Sequence, residues 1–334
     1  MGRSSTVMRL PRRSSAAPAV ATDLAIIGTP VFFTDPPSGS GNYNKSVIKA
    51  TRIQSSGYSN FDPWQYDTYA GGGARSEDWF GYTFDANITF SKLIFQEGMG
   101  EGGGGFFASG TIKVQVRVSG TWTDVSGSSI SPSYDADGSP TYETYTFTFT
   151  DITGDGIRVY GDPGGGENWS SVAVIEAWGI HSSSIAVLTG GTAHAKVPTG
   201  GSVGTIAKIT DNIRPAVGHS GSEYEYDSND GVAKSEDYWG LTFDSNKEFH
   251  YFAYQRGRAS VGGTFTGIKV QVRVSGTWTD VSSPTLSDSY PGSAHQIHVW
   301  KFTPITGDGI RVYGTVSGTT WTTVAEVVAV GKAA

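Results

Sequence analysis

The string IKVQVRVSGTWTDVS stands at residues 112–126 and again, letter for letter, at residues 268–282. A chain that carries it twice must build one supersecondary unit twice. A second string, ITGDGIRVYG, follows at 152–161 and at 305–314, and Ser76-Glu77-Asp78 with Thr83-Phe84-Asp85 recurs as Ser235-Glu236-Asp237 with Thr242-Phe243-Asp244. The blocks keep their order in both halves. Each copy spans about 150 residues, the size of a domain and far above a solenoid repeat, so the chain is a domain duplication. The copies open at Ala25-Ile26-Ile27 and Ala186-Val187-Leu188 and close at Trp178-Gly179 and Val330-Gly331. The expected organisation is an arm over 1–23, a first module over 24–181, and a second over 185–334, joined by a very short linker.

Within each copy the apolar period is two. Ile112, Val114, Val116 and Val118 alternate with Lys113, Gln115, Arg117 and Ser119, which puts aliphatics on one sheet face and polar groups on the other. Ser119-Gly120 followed by Thr121-Trp122-Thr123-Asp124 reads as a tight hairpin turn and its return strand. Phe80, Tyr82 and Phe84, matched by Trp239, Leu241 and Phe243, form another inward row, with Trp79 and Tyr238 facing the opposite way. Tyr145, Phe147 and Phe149, matched by His298, Trp300 and Phe302, form a third. Helical periodicity is absent, and Gly and Ser clusters punctuate at short spacing. The expected fold is all-β: two tandem antiparallel β-sandwiches behind a basic N-terminal arm.

Composition removes several classes of function. The 334 residues include no Cys, which excludes thiol nucleophiles, thiolate zinc sites and iron–sulfur clusters. Net charge is -7, and outside the first thirteen residues no Lys/Arg cluster occurs, so nucleic acid is not an expected partner. No apolar run approaches the roughly 18 residues of a membrane span.

Catalytic constellations are also missing. Glu77-Asp78 and Glu236-Asp237 are strand neighbours that point to opposite faces, so neither pair can flank one glycosidic bond; both read as solvated strand starts. His295 and His298 face opposite ways, a poor metal geometry. No GxSxG elbow is present, and the Gly-rich run from Gly98 to Gly105 lacks the Lys-Ser/Thr of a phosphate loop. The chain is expected not to be an enzyme.

The order SEDWFGYTFD, then a strand ending VSGTWTDV, then ITGDGIRVYG, then NWSSVAVIEAWG resembles the galactose-binding-like β-sandwich superfamily, which includes discoidin domains and many carbohydrate-binding modules. The resemblance covers both copies and implies a jelly-roll sandwich with a sugar ligand held on loops at one end. On that resemblance the ligand candidates are Trp64, Tyr66, Asp67, Asn168 and Trp169 in the first copy. In the second they are His219, Tyr224, Tyr226, Asp227 and Trp321. Trp169 and Trp321, at equivalent positions, read alternatively as plugs of the sandwich end. Trp122 and Trp278 read as core lids. The resemblance also implies a structural Ca2+ between an early loop and a Glu of the last strand, with Asp67 and Glu176, or Asp227 and Glu326, as ligands. Those glutamates stand three and five residues before their terminal glycines, so an ion pair with an Arg is the simpler account, and Arg158 and Arg311 are each expected to pair with a carboxylate.

Two further segments point to assembly. Residues 1–22 carry Arg3, Arg9, Arg12 and Arg13 and no acid, a flexible basic arm without the 7–15 apolar residues of a secretory signal. Phe106 and Phe107 sit on a Gly-rich tip, where a subunit contact would cover them. The expected role is therefore a non-catalytic carbohydrate-binding protein of a phage-like virion, a head decoration, fibre or tail adhesion subunit. It would be made in the cytoplasm and carried on the particle surface, with a cell-surface glycan or polysaccharide, other virion or coat subunits and copies of itself as partners. A coat or filament subunit without a sugar site, and an ancillary module of a glycosidase system, are the alternatives.

Overall fold

A computed structural model describes residues 20–33, 45–50, 65–69, 75–100, 103–136, 142–199, 201–215, 224–258, 263–317 and 321–334. Arg3, Arg9, Arg12, Arg13, Trp64 and His219 lie outside them. The first half contributes β1 (Thr22–Asp23), β2 (Thr29–Phe32), β3 (Tyr66–Asp67), β4 (Asp78–Glu97), β5 (Lys113–Val118), β6 (Thr121–Asp124), β7 (Ser129–Ser131), β8 (Thr144–Gly161) and β9 (Ser171–His181). The second contributes β10 (Ala186–Val187), β11 (Thr192–Ala195), β12 (Tyr226–Asp227), β13 (Glu236–Arg256), β14 (Thr264–Val274), β15 (Thr277–Asp280), β16 (Thr285–Leu286), β17 (Ile297–Ser317) and β18 (Thr323–Ala333). Short 3-10 turns at Ala25–Ile27, Lys45–Lys49 and Ile206–Thr210 are the helical elements among the described residues.

Both halves share one strand order. In the first it runs β1-β9-β4-β8-β5-β6, in the second β10-β18-β13-β17-β14-β15, all antiparallel. The long strands make the sandwich. Residues 78–83 of β4 pair with the end of β8 and with β2, whereas residues 88–97 pair with β9 and with the start of β8; the register breaks between Thr83 and Ile88. At that break the strand bends from one layer into the other, as β-bulges allow. We call the β2-β4-β8-β5-β6 layer, and its counterpart in the second half, the front layer.

The inward rows behave as their alternation requires. Phe80, Tyr82, Val114, Val116, Ile157 and Val159 of the front layer are fully buried against Leu93, Phe95, Val172 and Val174 of the back layer. Trp239, Leu241, Val270, Val272, Ile310 and Val312 repeat that core in the second half. The hairpin between β5 and β6 turns on Ser119 and Gly120, with φ of 49° and 82°, and Ser275-Gly276 repeats it at 49° and 80°. Two consecutive positive φ values define the turn whose twist matches its strands. Alternation stops at Val118, which is exposed at the hairpin.

The two modules pack on each other. Ile26 of the first lies in an apolar cluster with Tyr251, Ala253, Ile297, Val328 and Val330 of the second, and with Ile185 beside the linker. Arg214 donates through Nε to the Lys49 carbonyl at 2.9 Å, and the Tyr251 hydroxyl donates to Asp85 at 2.8 Å, where Lys301 also pairs. Asp23, half-buried beside Arg214, is pushed up to about 6 by desolvation.

Candidate functional site

Strand β3, the start of β4 and the start of β9 meet at one end of the first sandwich, and a buried carboxylate ties them. Asp78 accepts hydrogen bonds from the Thr68 and Ser170 hydroxyls, the latter at 2.6 Å, and from the Trp79 N–H at 3.0 Å. Asp237 does the same with Ser228, Thr322 at 2.6 Å and the Tyr238 N–H at 2.9 Å. These are not the solvated strand starts the sequence suggests. Both are fully buried, and desolvation outweighs the donated bonds, raising Asp78 to about 6 and Asp237 in the same direction. Glu77 and Glu236 point to the opposite face, where they accept from the Tyr160 hydroxyl at 2.8 Å and from Tyr313. Adjacent carboxylates on opposite faces cannot flank one bond.

Several expected ligand residues lie inside the fold. Tyr66 is fully buried, with its ring 4.1 Å from that of Phe32, and Tyr226 is buried edge-on to Trp239 with its hydroxyl donating to the Val197 carbonyl at 2.8 Å. Neither offers a ring face to a sugar, because a two-residue strand pairing with β9 or β18 carries each ring into the core. Trp169 is 5% exposed and closes over Gly104 and Gly105: a Cβ on Gly104 would stand 2.2 Å from its Nε1. It is a plug, edge-on to Tyr69. Asn168, Tyr224 and Trp321 remain half-exposed at this end. In the second module a shallow groove opens at the start of β13, lined by Lys196, Val197, Asp230, Val232, Lys234 and Glu236.

The expected calcium ligands do not fit a shared ion. Asp67 pairs with Ser171, five residues before Glu176, so the two residues are about 17 Å apart along the strand. Asp227 pairs with Thr323, three residues before Glu326, about 10 Å away. A calcium needs oxygens at 2.3–2.6 Å. Asp227 instead accepts from the Ser202 N–H at 2.6 Å and its hydroxyl at 2.5 Å, and Asp67 from the Tyr69 N–H at 3.2 Å. Glu176 accepts from the Trp178 indole at 2.8 Å, and burial raises Glu326 to about 9 despite Arg214 nearby. Among the described residues no cluster of three or more His, Asp or Glu could hold a metal ion.

The two phenylalanines of the Gly-rich loop are not an exposed tip. Phe107 is fully buried, its ring about 6 Å from those of Phe80 and Phe95 and its N–H donating to the Tyr134 hydroxyl at 2.7 Å. Phe265 holds the same place in the second module, donating to Tyr290 at 2.9 Å. Phe106 lies flat on Gly164, where a Cβ would come within 2.5 Å of its ring. The loop folds back because glycines on both sides leave room for the rings.

Strand order and core thus define a jelly-roll-type sandwich, and a family comparison agrees. Residues 200–327 match the F5/8 type C domain. The second sandwich matches an F5/8 type C (discoidin-type) module, and the first repeats its strand order. No curated protein matches the chain. Similar solved structures include a fucolectin from striped bass (Morone saxatilis) serum, 12% identical with a TM-score of 0.33, covering 93% of this chain and 98% of that one. The CBM32-1 and CBM32-2 domains of Clostridium perfringens ZmpB are 10% identical with a TM-score of 0.31, covering 92% and 94%. Allantoicase from Saccharomyces cerevisiae is 11% identical with a TM-score of 0.32, covering 93% of each chain.

The F5/8 type C module also carries, on the outer face of its front layer, a cluster that the sequence reading did not assemble. Arg311 lies between the rings of Tyr238 and Trp278, 4.3 Å from each centroid, and Arg158 lies between Trp79 and Trp122 at 4.3 and 4.4 Å in the first module. Among the described residues neither Arg pairs with a carboxylate, contrary to expectation; Nε donates to Gln115 at 2.7 Å or to Gln271 at 2.8 Å, and Arg311 Nη1 also meets His194 Nε2 at 3.5 Å. Trp122 and Trp278 are therefore partners of an arginine on the outside, not core lids. Glycines make the stack lie flat: a Cβ on Gly81 would meet the Ile157 carbonyl oxygen at 2.2 Å, and one on Gly156 the Trp122 ring at 2.9 Å. Lys113 pairs with Asp124 at 2.7 Å and Arg117 with Asp155 at 2.7 Å around it, as Lys269–Asp280 and Arg273–Asp308 do in the second module. His194, stacked on Tyr238 and Trp278, is pushed down to about 4 by burial and by Arg311.

Proposed function

We propose that the chain is a non-catalytic carbohydrate-binding protein whose tandem modules hold a glycan at their loop ends. The observation that carries this reading is the match of residues 200–327 to the F5/8 type C domain, together with the repetition of that fold in the first half. The second module's groove beside Lys196, Asp230, Lys234 and Glu236 is where we place the sugar, with Tyr224 and Trp321 as half-exposed rings of the same module. Asp237 would hold that surface rigid, since it bonds Ser228 and Thr322, the neighbour of Trp321. Pre-set loops cost less ordering on binding.

The setting we propose is the surface of a phage-like particle, with the basic segment 1–22 docking on acidic grooves of other subunits. Its support is compositional: four arginines and no acid in that segment. The experiment for the binding role is calorimetry with a sugar identified on a glycan array, comparing the native chain with Trp321→Ala. Loss of a stacking ring should weaken binding at least tenfold with little change in melting temperature. Unchanged affinity would remove the loop end as the site.

A further inference from the structure

The outer face of the front layer poses a question that the loop-end site does not answer. Arginine is almost never this buried without a paired carboxylate, yet Arg158 is 7% exposed and Arg311 9% exposed, and neither has a carboxylate at ion-pair distance. Among the described residues Arg158 makes no hydrogen bond apart from the Nε bond to Gln115, and its terminal nitrogens are not among the sealed polar atoms. The carboxylates that could serve it are engaged elsewhere. Asp124 receives Lys113 at 2.7 Å and Gln115 at 2.7 Å, Asp155 receives both Nε and a terminal nitrogen of Arg117, and Glu77 receives the Tyr160 hydroxyl. A guanidinium 4.3 and 4.4 Å from two indole centroids thus keeps its terminal N–H groups unengaged beside a shallow aromatic face.

Those groups form a fork of parallel N–H donors, the shape that takes a carboxylate through two bonds. Around it, Trp79, Trp122 and Tyr160 are half-exposed rings able to carry the C–H face of a pyranose. We propose that this face of the first module is a second saccharide site, separate from the loop end, in which Arg158 binds the carboxylate of a uronate residue in an acidic polysaccharide. Net charge does not forbid it. At physiological salt, charges beyond about 8 Å are largely screened, so the local unpaired cation outweighs the chain's overall -7. The second module differs at this point: His194 stands at the register position that Val31 has in the first, stacks on Tyr238 and Trp278 and meets Arg311 Nη1 at 3.5 Å, so the chain holds one such site.

The test is isothermal calorimetry of the full chain with a tetragalacturonate and with its methyl ester, which keeps the sugar and removes the charge. The acid should bind at one site per chain and the ester at least tenfold more weakly. Arg158→Gln should abolish binding, and Arg311→Gln should leave the one site in place. Independently of any substitution, the acid should shift the indole N–H resonances of Trp79 and Trp122 in the native chain and leave that of Trp278 in place, and the ester should shift neither; this readout decides the matter should the variants fail to fold. Trp321→Ala should leave the uronate stoichiometry at one, which separates this site from the loop-end reading. Equal binding of acid and ester, unmoved Trp79 and Trp122 indoles, a folded Arg158→Gln variant that keeps the site, or no binding of either ligand would each overturn the proposal and leave the stack as a clamp for the β5–β6 hairpin.

Discussion

Asp78 offers a sharp test of how the loop end is held. It is raised from 3.8 to about 6, with burial as the first cause, so the folded state binds a proton more tightly than the unfolded chain. The sign follows from linkage: between pH 3.8 and 6 the native state carries more protons, and stability from this group rises as pH falls. At about 1.36 kcal/mol per pH unit, ionised Asp78 costs about 3 kcal/mol at neutral pH, and about 2 kcal/mol of that is released by pH 4.5. Asp78→Asn removes the titration while keeping the size of the side chain and one acceptor oxygen. Other groups titrate in the same window, among them Asp23 upward to about 6 and His298 downward to about 4, but they are common to both proteins and cancel in the difference. Urea unfolding followed by tryptophan fluorescence at pH 7.5 and 4.5 should show the native chain gaining about 2 kcal/mol relative to Asp78→Asn on acidification, a midpoint shift on the order of 1 M. A difference that stays flat, or that grows with rising pH, would refute a carboxylate whose burial outweighs its three hydrogen bonds.

Two other perturbations probe the scaffold. Gly81→Ala would press a Cβ onto the Ile157 carbonyl oxygen at 2.2 Å, a contact backbone cannot yield cheaply; differential scanning calorimetry should show a loss of about 3 kcal/mol, roughly 6–12 °C in melting temperature. Arg214→Met removes a cation that lowers half-buried Asp23, so the Asp23 carboxyl, followed by 13C NMR, should titrate above the value of about 6 it has in the native chain.

How much of this was readable in the chain depends on the range of the interaction. The Ser119-Gly120 turn and the alternation of Val114 and Val116 are local, set by φ and by a period of two, and the structure has them where the pattern puts them. The burial of Asp78 is not legible in its neighbours because its partners Thr68 and Ser170 stand just after β3 and just before β9, the second of them 92 residues away in sequence. Phe106 and Phe107 were misread because a Gly-rich run looks like a free tip, whereas here the glycines are the space that the rings fill. The stacked arginines did leave a signal. The two repeats match at the outward positions Gln115, Arg117, Trp122, Asp124, Asp155 and Arg158 as fully as at the inward ones, and a merely solvated face does not require that. Alternation names the face on which a residue lies, but not which rings cross the sheet to meet it.

The measurement closest to the central claim is a glycan array probed with the full chain, followed by mass spectrometry of each bound glycan after prolonged incubation. The account predicts saturable binding to at least one glycan, recovered uncleaved. Failure to bind any glycan, or recovery of a bound glycan as shortened products, would contradict a non-catalytic carbohydrate-binding protein.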